Sequence, residues 1–167
     1  MPCLQCFAAL FFLQLHHIHA VAHVNGHGIR GPGFIAFFEK FHQQRMVLGG
    51  TRDNPASFYM SRTGDYENFR KSRPLQDDDP IEYMLASGSI DEIKWIASFG
   101  ELLIGTSGAE YKASSSGAAV TPNDVQITVE SYWGSAGIQP MIIGNSVMHC
   151  QRSGSHVRDL YYSWEND

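Results

Sequence analysis

The residues best suited to chemistry sit at the two ends of the chain and in one acidic run between them. Cys3-x2-Cys6-x12-His19-x3-His23 has the spacing of a two-Cys, two-His zinc site, whose four donors could close a tetrahedron around Zn²⁺. The supporting residues do not suit a finger. Leu10 and His16 stand where such modules carry an aromatic and a leucine, and no basic residue lies on the stretch that would read DNA. Histidines crowd this segment, so a chance alignment is easy, and Cys3, Cys6, His19 and His23 are metal candidates on spacing alone.

Asp77-Asp78-Asp79 with Glu82 is the densest carboxylate cluster and could offer oxygens to Ca²⁺ or Mg²⁺. Its spacing is not that of an EF-hand loop, and adjacent aspartates before Pro80 read as a solvated turn. Cys150 has His149 beside it and His156 six residues on. Neighbours on a strand point to opposite faces, so His149 is badly placed to activate Cys150, which reads as a buried structural cysteine. Gly105-Thr-Ser-Gly108 lacks the lysine of a phosphate loop, and Gly134-Ser-Ala-Gly137 lacks the spacing of a nucleophile elbow. Around Gly64 the order is Gly-Asp rather than the Asp-before-Gly of a sialidase-type Asp-box. The expected feature is a turn on Gly64, with Tyr66 and Phe69 packed on one side of a short helical turn. No acid–base constellation survives, no cofactor is implied, and the chain reads as a non-enzyme.

The elements that must position these residues are mostly strands. The chain has 167 residues, 43% hydrophobic and 17% charged, with 16 Gly and 7 Pro, which suits a turn-rich folded protein rather than a helical bundle. Its formal net charge of −5 leaves no surplus of Lys and Arg for a broad, sequence-reading grip on nucleic acid. No apolar run reaches the ~20 residues of a membrane-spanning helix. Three cysteines do not make the even-numbered framework of a secreted disulfide scaffold, so a reduced compartment is the simpler expectation.

Composition breaks near residue 30, because Met1 to Ile29 contain no Asp, Glu, Lys or Arg. Residues 1–33 are therefore read as an apolar, His-rich extension ending in a Gly/Pro linker, and residues 34–167 as a β-rich region. Ala20-Val-Ala22 after the apolar run resembles a signal-peptide cleavage site, but the positively charged n-region of such a signal is missing.

Three hairpins are expected. Arg45–Gly50 and Ser57–Ser61 flank Thr51-Arg-Asp-Asn-Pro55; Glu101–Thr106 and Ala109–Ala113 flank Ser107-Gly108; Asn145–Cys150 and His156–Tyr162 flank a turn around Arg152–Ser155. Phe34–Phe41 is ambiguous between strand and helical turn. Ile90–Ile96 and Val125–Glu130 have strand composition, the latter with Val125, Ile127 and Val129 inward and Gln126, Thr128 and Glu130 outward. Aligning Gly49, Gly105 and Cys150 gives a hairpin recurring roughly every 45 to 56 residues, the pattern of β-propeller blades. The fold class expected is mainly β, with antiparallel hairpins of β-propeller-like blades. Tyr132, Trp133, Tyr161, Tyr162 and Trp164 gather toward the end, and in a second reading exposed aromatics of a propeller-like module bind carbohydrate or protein.

The ordered series of Phe41–Thr51, Asn54–Phe69, Asp77–Tyr83, Leu103–Tyr111, Ile142–Val147 and Val157–Ser163 resembles one family of phage and prophage virion proteins. These are the tail-nozzle (tail tubular) and stabilization proteins of short-tailed phages. The resemblance covers about residues 34–167, as a fragment of a longer architecture. It singles out Arg45, Gly49, Gly50, Ser61, Gly64, Asp65, Phe69, Gly105 and Gly144 as its structural motif. It implies a virion structural protein forming part of the DNA-ejection conduit, homo-oligomeric in its full-length context, with portal or adaptor proteins as partners. An acidic balance suits such a conduit, because a Lys- and Arg-rich wall would retain phosphates.

Overall fold

A computed structural model describes residues 36–86 and 91–161 of the chain. The Cys3, Cys6, His19 and His23 candidates, the 1–33 segment and Trp164 lie outside them. Eleven strands and no helix occur among the described residues, so none of these forms a helix long and apolar enough to cross a membrane.

The strands make three antiparallel sheets in chain order. Sheet I is the meander β1 (Ala36–His42), β2 (Arg45–Thr51), β3 (Ser57–Met60) and β4 (Ile81–Met84). Sheet II repeats it with β5 (Ile93–Phe99), β6 (Glu101–Thr106), β7 (Glu110–Ser114) and β8 (Gln126–Ser131). Sheet III has β9 (Met141–Ile143), β10 (Ser146–Cys150) and β11 (Val157–Tyr161), ordered β11-β10-β9. The three expected hairpins are β2–β3, β6–β7 and β10–β11, and the ambiguous Phe34–Phe41 stretch supplies β1.

The sheets pack face to face in series, and the strand alternation shows why. Val47, Phe58, Met60 and Ile81 point from sheet I onto Ile96 and Ile104 of sheet II, sealing the main core. On the other face of sheet II, Trp95, Ala97 and Leu103 meet Val147 and Leu160 of sheet III. Sheet II is thus covered on both faces, which is why β6 reads as a nearly unbroken apolar run rather than an alternating one. Each large side chain sealed in these seams contributes about 1.5–3 kcal/mol relative to exposure.

One strand departs from its sequence pattern. Val125 and Ile127 pack against the core as expected, but Val129 is exposed and Glu130 reaches Lys112. The reason is position. β8 is the edge of its sheet, and its pairing with β7 shifts register opposite Val129 to Ser131.

Sheets I and II share a turn device. Thr51 and Thr106 end the second strand of each sheet, both buried, and each hydroxyl accepts an amide three residues on, Asn54 at 3.0 Å and Ala109 at 3.0 Å. Matching the sheets through these threonines puts Gly50, not Gly49, opposite Gly105. Gly49 faces Ile96 across the seam, whereas Gly105 lies beneath Trp95 on the opposite side of its sheet. A Cβ at Gly105 would come within 2.1 Å of the indole, so only glycine lets Trp95 lie flat there.

Candidate functional site

Two buried polar clusters are assembled by this fold. The first joins sheet II to sheet III. Glu110 projects from β7, Ser131 ends β8, Ser135 sits in the connecting segment and His149 projects from β10. The Ser135 hydroxyl donates to Glu110 Oε1 at 2.7 Å and lies 3.0 Å from His149 Nδ1, and the Ser131 hydroxyl donates to Glu110 Oε2 at 2.5 Å. Glu110, Ser135 and His149 are sealed from solvent, between 0% and 1% exposed.

A serine, a histidine and a carboxylate within contact invite comparison with a hydrolytic triad, but the order of contacts differs. A nucleophilic serine hands its proton to the imidazole, which the carboxylate orients from its far side. Here serine occupies the middle place, and its hydroxyl proton points at Glu110 rather than at His149. The imidazole therefore donates from Nδ1 to Ser135 Oγ. Its Nε2 is buried without a protein partner beside Trp95, the ring centroids 5.5 Å apart. Burial holds the His149 imidazole below its ordinary pKa, and Arg158 adds to this against the opposing pull of Glu110 and of a backbone hydrogen bond at Cys150. A neutral donor, a bridging hydroxyl and a twice-accepting carboxylate form a joint with no room for a substrate.

The connecting segment is stitched to both sheets. Ser135 N donates to Thr106 O at 2.7 Å, Ala136 N to Cys150 O at 2.9 Å, and Arg152 N to Gly134 O at 2.9 Å. Gly134 has φ +68° and approaches so closely that a Cβ would lie 2.4 Å from Ser107 O. That close approach, and not a nucleophile elbow, is the role of Gly134-Ser-Ala-Gly137. Sequence reasoning missed Ser135 and Glu110, and no local pattern marks them: Glu110 alternates with Lys112 and Ser114 along β7, and Ser135 lies outside the strands.

The second cluster gathers five of the nine motif residues, Arg45, Ser61, Gly64, Asp65 and Phe69, at one corner of sheet I. Arg45 is 2% exposed, and its guanidinium donates to three carbonyls: Ser61 O at 2.8 Å, Asp79 O at 2.7 Å and Asp77 O at 2.9 Å. Burial lowers the Arg45 pKa, and the charges of Asp78 and Asp79 oppose that. Ser61 Oγ accepts the Met46 amide, and Gly64, at φ +74°, donates its amide to Gln44 O. Asp65 accepts from the Asn68 side chain. Phe69 is buried on Leu48 and Tyr59, on the outer face of sheet I. Gly50, with φ +66°, lies apart from them near the far end of β2, beside Phe38 and Ile93. Gly49 and Gly105 lie in the seams, and Gly144 (φ +57°) turns β9 into β10.

Three expectations are corrected here. Tyr66 and Phe69 do not share a packing site, because Tyr66 is partly exposed and meets Phe41 edge-on at 5.0 Å while Phe69 turns inward. The aspartate run is not a solvated turn. Asp77 is exposed and Asp78 pairs with Arg62 at 2.6 Å, but Asp79 is fully buried. Burial alone would raise the Asp79 pKa, yet hydrogen bonds from the Gln76 amide and the Ser72 hydroxyl and amide hold it below the usual carboxylate range. Finally, Cys150 is half-buried on the outer face of sheet III, pointing away from His149, and is a free thiol. His156 is exposed and bonded to Ser155.

No group of three or more His, Cys, Asp and Glu side chains able to hold a metal occurs among the described residues. Of the aromatics proposed for ligand stacking, Tyr132 is 81% exposed, but Arg158 lies 3.9 Å over the ring of Trp133 and occupies one of its faces. Of the twelve exposed large apolar side chains among the described residues, eight fall between Val129 and Val157, so their apolar surface is concentrated around sheet III.

The family model of the bacteriophage nozzle protein matches residues 41–166. No curated protein matches the chain.

Proposed function

Because the chain belongs to the bacteriophage nozzle protein family, a structural component of the phage tail, we propose that it is a non-enzymatic building block of the channel through which DNA leaves the particle. The family match over most of the chain carries this reading. The geometry supports it. The buried ionisable groups Arg45, Asp79, Glu110 and His149 all hold segments to sheets, with none turned toward an open cleft.

In this proposal sheets I to III are consecutive blades of a propeller-like arc. Two four-stranded meanders and a three-stranded one, stacked in chain order, match the repeat of such an architecture. The partners are portal or adaptor proteins and sister copies, the location is the virion tail after assembly in the bacterial cytoplasm, and the formal charge of −5 lets DNA pass without being held. The motif residues act as structural fixtures in all of this.

The test is made on particles. In a phage or prophage carrying this gene, mass spectrometry of purified virions should find the chain, and a tagged copy should place density on the tail axis. Disrupting the gene should leave DNA-filled heads that fail to eject. Chain absent from purified virions, or normal ejection without it, would overturn the proposal.

A further inference from the structure

Four consecutive residues at the tip of the β1–β2 hairpin each hold a different part of the molecule. His42 Nδ1 lies 2.8 Å from Ser98 Oγ on β5, and the Gln43 side chain accepts the Val120 amide of the β7–β8 loop at 2.8 Å. Gln44 O accepts the Gly64 amide, and Arg45 donates to the Ser61, Asp77 and Asp79 carbonyls. The first two ties fasten sheet I to sheet II, and the last two hold the excursion that covers sheet I. Of the four residues only His42 can change its charge near neutral pH. It is 3% exposed, and its Nε2 is buried without a protein partner.

Once protonated, this imidazole would face charges of its own sign. Arg45 stands opposite it across the β1–β2 pair, with Asp78 and Asp79 already set against the guanidinium, and Lys40 precedes it on the same face of β1. From sheet II, β5 offers the Ser98 hydroxyl and the β7–β8 loop offers Val120, and no carboxylate among the described residues pairs with the ring. His149 is placed differently. Glu110 Oε1 of β7 lies 3.8 Å from its Nδ1, the Ser135 hydroxyl bridges the two, Trp95 of β5 lies against the ring, and Arg158 of β11 is the opposing charge. An imidazolium at His149 is answered by a carboxylate inside the seam. At His42 it is answered only by water, which the exposed Gln43 and Gln44 bring within one residue. We propose that the β1–β2 tip is an acid-released latch: protonation of His42 turns its ring out to solvent and frees the tip from sheet II, while the Glu110–Ser135–His149 joint keeps sheet III docked. Both seams loosen in acid, and the latch yields first. This holds wherever in a particle the chain resides, so it is tested apart from the virion assays above.

The experiment is hydrogen exchange of the full chain, followed amide by amide by NMR from about pH 7.5 downward and corrected for intrinsic rates. The Val120 amide reports the latch, and the Ser135 amide, which donates to Thr106 O, reports the joint. Protection at Val120 should fall at least about tenfold while Ser135 remains protected. His42→Gln, whose side chain is neutral at every pH, should abolish the acid response at Val120, and His149→Gln should leave it in place. Loss of protection at both amides over the same pH range, or at Ser135 first, would overturn the proposal. So would a Val120 amide that stays protected throughout, or an acid response there that survives His42→Gln. Should His42→Gln fail to fold, the order in which the two wild-type amides open still decides.

Discussion

The outer faces of sheets I and III start from similar strands and end in different states. Both carry a row of apolar side chains pointing away from sheet II. On sheet I the chain returns after β3 with an excursion of some twenty residues before β4, and lays Phe69 over the row. On sheet III the β10–β11 turn is short, and the row stays open. An apolar face is therefore not left exposed by default in this molecule. Covering one takes a dedicated segment, and that segment needs a buried cation and a buried carboxylate to hold its backbone. Sheet III has no such segment among the described residues, and that difference separates the covered end from the open one.

The largest effect should come from removing the anchor of the covered end. Arg45→Met leaves three carbonyls without their donor and should lower unfolding stability by about 3–5 kcal/mol, read by denaturant melts. Where the variant still folds, uncovering Leu48 and Tyr59 should expose apolar surface at this end too, read by binding of a hydrophobic dye, which would break the asymmetry outright. Arg45→Lys should not restore stability, because an ammonium cannot span the same fork of carbonyls.

Next in size is the seam between sheets II and III. Gly105→Ala forces a methyl into the Trp95 indole and should cost about 1–3 kcal/mol, with a shift in tryptophan fluorescence. Gly64→Ala at the covered end meets nothing within 4 Å, and only its φ of +74° is unfavourable, so about 1 kcal/mol is expected.

Acid should loosen both seams. His42, 2.8 Å from Ser98 across sheets I and II, and His149, between sheets II and III, are both held below their ordinary pKa, chiefly by burial. The unfolded chain then binds protons that the folded one refuses, so stability is present above about pH 6.5 and is lost as pH falls below it. His42→Gln and His149→Gln should each flatten the dependence of the melting midpoint on pH over the range below about 6.5. A wild-type midpoint that does not move over that interval would count against neutral buried histidines.

The smallest effect belongs to the exposed pin. Arg62→Ala removes the ion pair to Asp78 but leaves the Arg45 anchor in place, and the melting midpoint should scarcely change.

Much of the fold was legible in the residues. Each of the three hairpins announced itself through an apolar run, turn residues and a second run. The β1–β2 hairpin did not, because its two-residue loop is Gln43-Gln44 with both φ positive, 45° and 58°, where Asn-Gly would have been the recognisable signal. That loop is held from outside, as Val120 N donates to the Gln43 side chain and Gly64 N to Gln44 O. The Thr51 and Thr106 devices were hidden by aligning glycines, since Gly49 and Gly105 sit on opposite faces of their sheets. The polar clusters were the least legible. Asp79 looks like its neighbours in the sequence, and only the fold turns it inward. Glu110, Ser135 and His149 are far apart along the chain and meet through a close approach at Gly134 that no local pattern encodes.

The contrast between the two ends can be read with a single chemistry. Met141 on sheet III and Met84 on sheet I are 63% and 68% exposed, so dilute peroxide should oxidise both at similar rates when the protein is dilute. Met46, packed against the covered row of Leu48, Tyr59 and Phe69, should oxidise more slowly than either. Oxidation of Met46 as fast as Met141 would contradict the account.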